Sequence, residues 1–115
     1  MQLNYQDGPA ARVITIDNSR IDAAIAIKFK DQMRDITSDG PQRVVVDMTA
    51  VDFIDSSGLG AIVAAMKQVP DGRSFELAGL SKTVSKVFSL TRMDTVFTIH
   101  DSVDSALDGG LATAS

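Results

Sequence analysis

With 115 residues the chain has the size of a single domain, long enough to bury roughly two thirds of its unfolded surface without a metal or disulfide staple. Fifteen acidic against eleven basic side chains, a net charge of −4 and no cysteine argue against a nucleic-acid-binding face, a disulfide framework and a thiolate metal site. The lone histidine, His100, makes no metal site by itself, and no apolar run reaches the roughly 18 residues of a membrane span. The opening MQLNYQDGPAARV lacks the basic-then-apolar order of a secretory leader. A cytoplasmic protein without metal or cofactor is therefore expected. Fourteen of the acidic residues are aspartates, with Glu76 the exception, which places many of them at caps and turns.

In chain order, residues 2–5 read as extended and Asp7-Gly8-Pro9 as a turn. Arg12–Asp17 follows as a strand, with Ile14 and Ile16 on one face and Val13 and Thr15 on the other. Together they suggest an N-terminal β-hairpin. Asn18-Ser19-Arg20 is a polar connection to a helix starting at Asp22, its candidate cap. Ile21, Ile25, Phe29, Met33 and Ile36 form that helix's apolar stripe, and Asp39-Gly40-Pro41 stops it. Ile27 lies off the stripe, either as a singly exposed apolar residue or as a contact on a partner-facing surface.

The uninterrupted β-branched run Val44-Val45-Val46 suits a strand buried on both faces. Farther on, Leu59, Ile62, Val63 and Met66 recur at helical spacing. Pro70-Asp71-Gly72 is a turn, Ser74–Ala78 a strand, and Ser81 the cap of a helix with Val84, Val87 and Phe88 inward. Thr95–Ile99 alternates as a final strand, and Asp101-Ser102 caps a short helix carrying Val103, Ala106 and Leu107. Asp108-Gly109-Gly110 ends that helix, so the ordered core is expected over about 3–108 and a flexible tail over 109–115. The alternation predicts one α/β domain over 1–115: a mixed, largely parallel sheet of four to five strands with about four helices.

The polar corner Asp55-Ser56-Ser57-Gly58 separates the valine strand from its helix. A serine at a helix mouth can cap it, and its hydroxyl stands where free N–H groups and the helix dipole favour an anion. Catalytic readings fail on residues their mechanisms require. Gly58-Leu59-Gly60 is followed by Val63 where a dinucleotide fingerprint needs glycine. No lysine lies between Arg43 and Lys67 for a P-loop. Ile54 and Asp55 occupy the positions two before Ser56 and Ser57, where a nucleophile elbow needs glycine. Asp47, near the end of a central strand, suits a receiver phosphoacceptor, but the acidic pair and the lysine of such a site are missing. Its expected role is to bond neighbouring loop amides.

The stretch VVVDMTAVDFIDSSGLGAIVAA resembles the signature of STAS domains, in particular the free-standing bacterial anti-sigma factor antagonists. That resemblance implies the STAS fold over roughly residues 3–108 and a protein that is not an enzyme. It matches Ser56 to the serine phosphorylated by a partner kinase, with Ser57 as the helix's polar start. Asp22 matches a family aspartate at the interface, although Ser19 stands where the family often has glycine. The expected partner-binding set is Asp22, Asp55, Ser57, Gly58, Leu59, Gly60, Ala61 and Ala64, the last three belonging to a small-residue helix face with Ala65. The implied partners are an anti-sigma factor with a GHKL-type serine kinase fold, bound when Ser56 is unmodified, and a serine phosphatase. One alternative is a non-phosphorylated STAS subunit of an ABC lipid-type transport complex. Another is a nucleotide binder using Gly58 and Gly60.

Charge supports a switch that breaks contacts. Asp47, Asp52 and Asp55 lie between Arg43 and Lys67 with no basic side chain among them. A phosphate would add about −1.5 to −2 charges there. Its interaction with one partner carboxylate at ~6 Å is of order 1–5 kcal/mol, and 1.4 kcal/mol is about tenfold in affinity.

Overall fold

Val44, Val45 and Val46 form the middle of the central strand of a five-stranded sheet, all within 1% of complete burial. The computed structural model describes residues 3–70 and 72–107. Its elements are β1 (Leu3–Asp7), β2 (Ala11–Ile16), β3 (Arg20–Ile21), α1 (Ala26–Thr37), β4 (Arg43–Asp47), β5 (Phe53–Ile54) and α2 (Ser56–Gln68). They continue with β6 (Ser74–Ala78), α3 (Lys82–Leu90), a 3-10 turn (Met93–Thr95) and β7 (Thr98–His100), then a last helical segment, α4, over 103–107.

The large sheet runs β1-β2-β4-β6-β7. β1 and β2 form the expected antiparallel hairpin, with Leu3 opposite Ile16 and Asp7 opposite Arg12. All later pairings in this sheet are parallel, as crossover connections through helices require. Alternation along the strands then sorts the core into two. Ile14, Ile16, Val44, Val46, Phe75 and Leu77 share one apolar cluster with Phe29 and Met33 of α1, Ile62 of α2 and Phe88 of α3. On the opposite face Val45 packs with Ala11, Ala78 and Ala106 of α4, with Val103 and Leu107 beside them. Burying each large side chain of this kind contributes about 1.5–3 kcal/mol.

Two polar networks fix the ends of these layers. Arg12 is anchored to Asp7 by bonds of 2.6 and 2.9 Å and donates to the carbonyls of Ile36 at 2.6 Å and Asp39 at 3.3 Å. Arg73 donates to the Thr37 carbonyl and, at 2.9 Å, to that of Pro41. Two guanidinium groups thus take the last carbonyls of α1, where the helix dipole favours cations. Pairing with Arg12 also holds the Asp7 carboxyl below the usual carboxylate range. On the α4 side Glu76 accepts from Arg43 at 2.7 and 2.9 Å, from Ser74 at 2.7 Å, and bonds His100 Nε2 at 2.8 Å. Arg43 also donates to the Ala106 carbonyl at 3.1 Å, tying α4 to the sheet. The Glu76 carboxyl is lowered to about 2, chiefly by Arg43 and against the effect of burial, with Ser74 and His100 assisting.

Several expectations need correction. The connection Asn18-Ser19-Arg20 is not only a loop: Arg20–Ile21 pairs in parallel with Phe53–Ile54 as a separate two-stranded sheet. Regular α1 begins at Ala26 rather than Asp22, and its N-cap, Ile25, makes no side-chain cap bond. Asp22 instead closes the preceding turn, its Oδ1 accepting from Ala24 N at 3.1 Å and its carbonyl from Ile25 N at 3.1 Å. The last strand is Thr98–His100, because Met93–Thr95 winds into a 3-10 turn after the left-handed Arg92 (φ 62°). The expected stop at Asp108-Gly109-Gly110 and the tail over 109–115 lie outside the described residues.

Candidate functional site at the mouth of α2

The small sheet β3–β5 exists because Ile21 and Ile54 must both reach the core, and they are 0% and 4% exposed. Pairing them brings the turn leading into α1 against the corner leading into α2. Asp55 occupies the junction with both carboxylate oxygens in use. Oδ1 accepts from Gly58 N at 2.8 Å, which makes Asp55 the N-cap of α2. Oδ2 accepts from Ala23 N at 3.2 Å, reaching across to the turn before α1. The capping role proposed for a serine thus belongs to Asp55. Ser56 and Ser57 are the first two residues of the helix, and both are exposed.

Gly58 is where α2 touches β3. A Cβ there would stand 1.9 Å from the carbonyl oxygen of Ile21, so only glycine lets the helix come this near the strand. Gly60 is different: it is exposed, and a Cβ would meet nothing within 4 Å.

The small-residue face divides accordingly. Ala61 and Ala65 are 2% and 1% exposed in the core shared with α1. They, with Gly58, face inward and are withdrawn from the surface offered to a partner. The buried side of α2 is centred on Gly58, Ala61, Ile62 and Ala65, while Leu59, Val63 and Met66 pack against its margin. Ser56, Ser57 and Gly60 remain exposed and Ala64 half-buried.

Exposed side chains also stand on α1, β3 and β5, the elements that lead into or pair at this corner. Ile27 of α1 is 70% exposed. Phe53 of β5 is 38% exposed, with the Arg20 guanidinium 4.4 Å over its ring. Arg20 Nε also lies 3.3 Å from Asp22 Oδ2. Sequence reading missed Phe53 and Arg20, since the nearest signal, an aromatic just before the polar corner, acquires its meaning only from the β3–β5 pairing. Asp47 is held by its own loop, accepting from Thr49 N at 3.0 Å and Thr49 Oγ1 at 2.5 Å. His100 lies at the end of β7 on Glu76 and, among the described residues, bonds no serine. Among the described residues no group of three histidine, aspartate or glutamate side chains is arranged to hold a metal ion, and no helix is long and apolar enough to cross a membrane.

What the arrangement offers is an exposed hydroxyl at a helix mouth, bordered by two carboxylates and by exposed apolar side chains. Asp55, the nearest carboxylate in sequence, already bonds two backbone amides.

A family model described as the STAS domain matches residues 2–106. The TM1081 homolog of Thermotoga neapolitana, which carries an anti-sigma factor antagonist name, is 31% identical over 98 residues, covering 84% of this chain and 87% of its own. An anti-sigma factor antagonist from Mycobacterium paratuberculosis superposes with a TM-score of 0.83 at 22% identity, covering 94% of this chain and 92% of the other. SpoIIAA of Bacillus, also an anti-sigma factor antagonist, shares the fold in its unphosphorylated form (TM-score 0.73, 19% identity, covering 96% and 97%) and its phosphorylated form (TM-score 0.66, 17% identity, covering 93% and 97%).

Proposed function

The chain belongs to the STAS domain family, and from that premise we propose that it is an anti-sigma factor antagonist switched by phosphorylation of Ser56. Unmodified, the surface formed by Ser56, Ser57, Gly60, Ala64, Asp22 and Ile27 binds an anti-sigma factor of the GHKL serine-kinase type and so releases a sigma factor. The kinase transfers phosphate from ATP to the Ser56 hydroxyl, the complex dissociates, and a serine phosphatase restores the bare form. In this role the chain is a substrate and a binding partner, not an enzyme.

The observation that carries this reading is the position of Ser56. Its hydroxyl is exposed in the first turn of α2, beside a cap whose carboxylate is already occupied. A docked protein would have to cover this point closely, because Gly60 leaves the adjoining turn without a side chain. A doubly charged group there both fills that space and repels any partner carboxylate. Support also comes from SpoIIAA, which shares the fold and exists in phosphorylated and unphosphorylated forms.

The test is to incubate wild type and Ser56→Ala with a GHKL-type anti-sigma factor from the same genome and ATP, then fragment the products and titrate binding. One phosphate on Ser56, none on the variant, and at least tenfold weaker binding of the phosphoprotein are expected. Phosphate on Ser57, or equal binding of both forms, would overturn the proposal. Recovery of an ABC ATPase in place of the kinase would assign the chain to a transport complex instead.

A further inference from the structure

We propose that Arg20 is the internal partner of a phosphate on Ser56: modification draws its guanidinium off Asp22 and Phe53 and onto the phosphoryl oxygens, leaving the Asp22 carboxylate without its cation and bonded only to Ala24 N. This rests on Ser56 being the modified residue and adds how the modified state is held.

The placement comes from the β3–β5 pairing. Arg20 lies opposite Phe53 and Ile21 opposite Ile54 in parallel register, so both strands run toward the same corner. From β3 the Arg20 side chain reaches forward along the strand to Asp22. The residue after Asp22, Ala23, is bonded through its backbone N–H to the carboxylate of Asp55, immediately before Ser56. The residue whose carboxylate now holds Arg20 and the residue that would gain a phosphate thus each lie next in sequence to one end of this bond between the turn before α1 and the cap of α2.

The present contacts of Arg20 are weak ones. Its side chain is 59% exposed and meets Asp22 through Nε at 3.3 Å, a surface pair of the kind that contributes little. The guanidinium lies 4.4 Å over the Phe53 ring, and the side chain as a whole stays largely exposed. A phosphoserine offers nearly twice the charge of a carboxylate and three acceptor oxygens. The planar fork matches two of these at once, which gives the stronger, bidentate class of bond. Exchange therefore runs toward the phosphate. The corner then presents an uncovered Asp22 and a bare Phe53 ring, so the change reaches beyond the modified side chain. Lys67 is eleven residues along α2, about 16 Å of helical rise from Ser56, too far to compete. Lys28 on α1 is the other cation to be tested.

Phosphoserine installed at position 56 during translation makes the test independent of any kinase. Phosphorus NMR then follows the second phosphate ionisation, near pH 6 in an unperturbed phosphoserine, in the otherwise wild-type chain and with Arg20→Gln, Arg20→Lys or Lys28→Gln. A guanidinium partner favours the dianion, so the phosphate should titrate about 0.5 pH unit lower with Arg20 present than in Arg20→Gln. Arg20→Lys should fall between, and Lys28→Gln should match the chain carrying Arg20. Arg20→Gln titrating with that chain, or Lys28→Gln reproducing its effect, would overturn the proposal. Because Arg20 is exposed, the unmodified Arg20→Gln protein should melt like wild type, which separates the effect from misfolding. Loss of Arg20 dependence would refute this contact alone, whereas absence of kinase-dependent phosphate on Ser56 would refute the switch.

Discussion

Gly58→Ala tests whether the corner is closed as tightly as its distances imply. The new methyl would lie 1.9 Å from the Ile21 carbonyl oxygen and 2.7 Å from its carbon, and both are backbone atoms that cannot swivel away. Cβ contacts essentially never fall under 3.0 Å, so α2 would have to withdraw from β3 by more than 1 Å. That movement strains the Asp55 cap at 2.8 Å and the bridge from Ala23 N at 3.2 Å together. Forced overpacking costs about 1–3 kcal/mol and a lost cap about 1 kcal/mol. Alanine in place of glycine within a helix returns up to about 1 kcal/mol, leaving a net loss of about 1–3 kcal/mol. For a chain of this size the expected fall in Tm is roughly 4–15 °C, read by circular dichroism on heating and checked by the midpoint in urea. Gly60→Ala is the control: with nothing within 4 Å of its Cβ, it should be neutral or stabilise by up to about 1 kcal/mol. A Gly58→Ala protein as stable as wild type, or two glycines that respond alike, would refute the packing argument.

Acid stability should depend on Glu76. Its folded value of about 2 lies below the ordinary 4.5, so its contribution is present above about pH 4.5 and lost as the pH falls toward 2. The difference corresponds to at most about 3 kcal/mol. Glu76→Gln should flatten acid unfolding over that interval and cost about 2–3 kcal/mol at neutral pH, because Arg43 loses its paired carboxylate; an acid-unfolding curve parallel to that of wild type would exclude this role. Asp55→Ala should lower stability by about 1–2 kcal/mol in thermal melts, with Asp55→Asn less affected because it keeps an acceptor oxygen. Ile27→Glu should leave stability within about 0.5 kcal/mol while weakening anti-sigma factor binding at least tenfold in a titration, and unchanged affinity would remove Ile27 from the interface. Asp22→Ala, assayed the same way, should also weaken binding.

Sequence carried the large sheet well because its strands are written twice, once in composition and once in spacing. Val44–Val46 and Ser74–Ala78 fall where the apolar runs place them, and Ser81 caps α3 as its position suggests, accepting from Val84 N at 3.2 Å. Alternation failed at Thr95–Ile99, where Val96 is 49% and Phe97 5% exposed, yet the segment enters β7 only at Thr98. The two-residue strands β3 and β5 are too short for any periodicity, and what pairs them is the burial of Ile21 and Ile54 at a distance. That pairing decides the corner. It makes Asp55 a bridge as well as a cap, brings Arg20 to the site, and turns Ala61 inward. Spacing alone put Ala61 beside Gly60 and Ala64, but whether a small residue faces a neighbouring helix or the solvent depends on where that helix lies.

Arg12 and Arg73 moor α1 at one end only. Ile36, Thr37, Asp39 and Pro41 surrender their carbonyls to two guanidinium groups, whereas at the opposite end Ile25 has no side chain to hold the first amides. Thermal opening of this helix therefore starts beside Ser56, and amides near Phe29 should exchange with solvent sooner than those near Ile36. Whatever arrives at that corner, a protein or a phosphate, meets the end of α1 that no side chain caps.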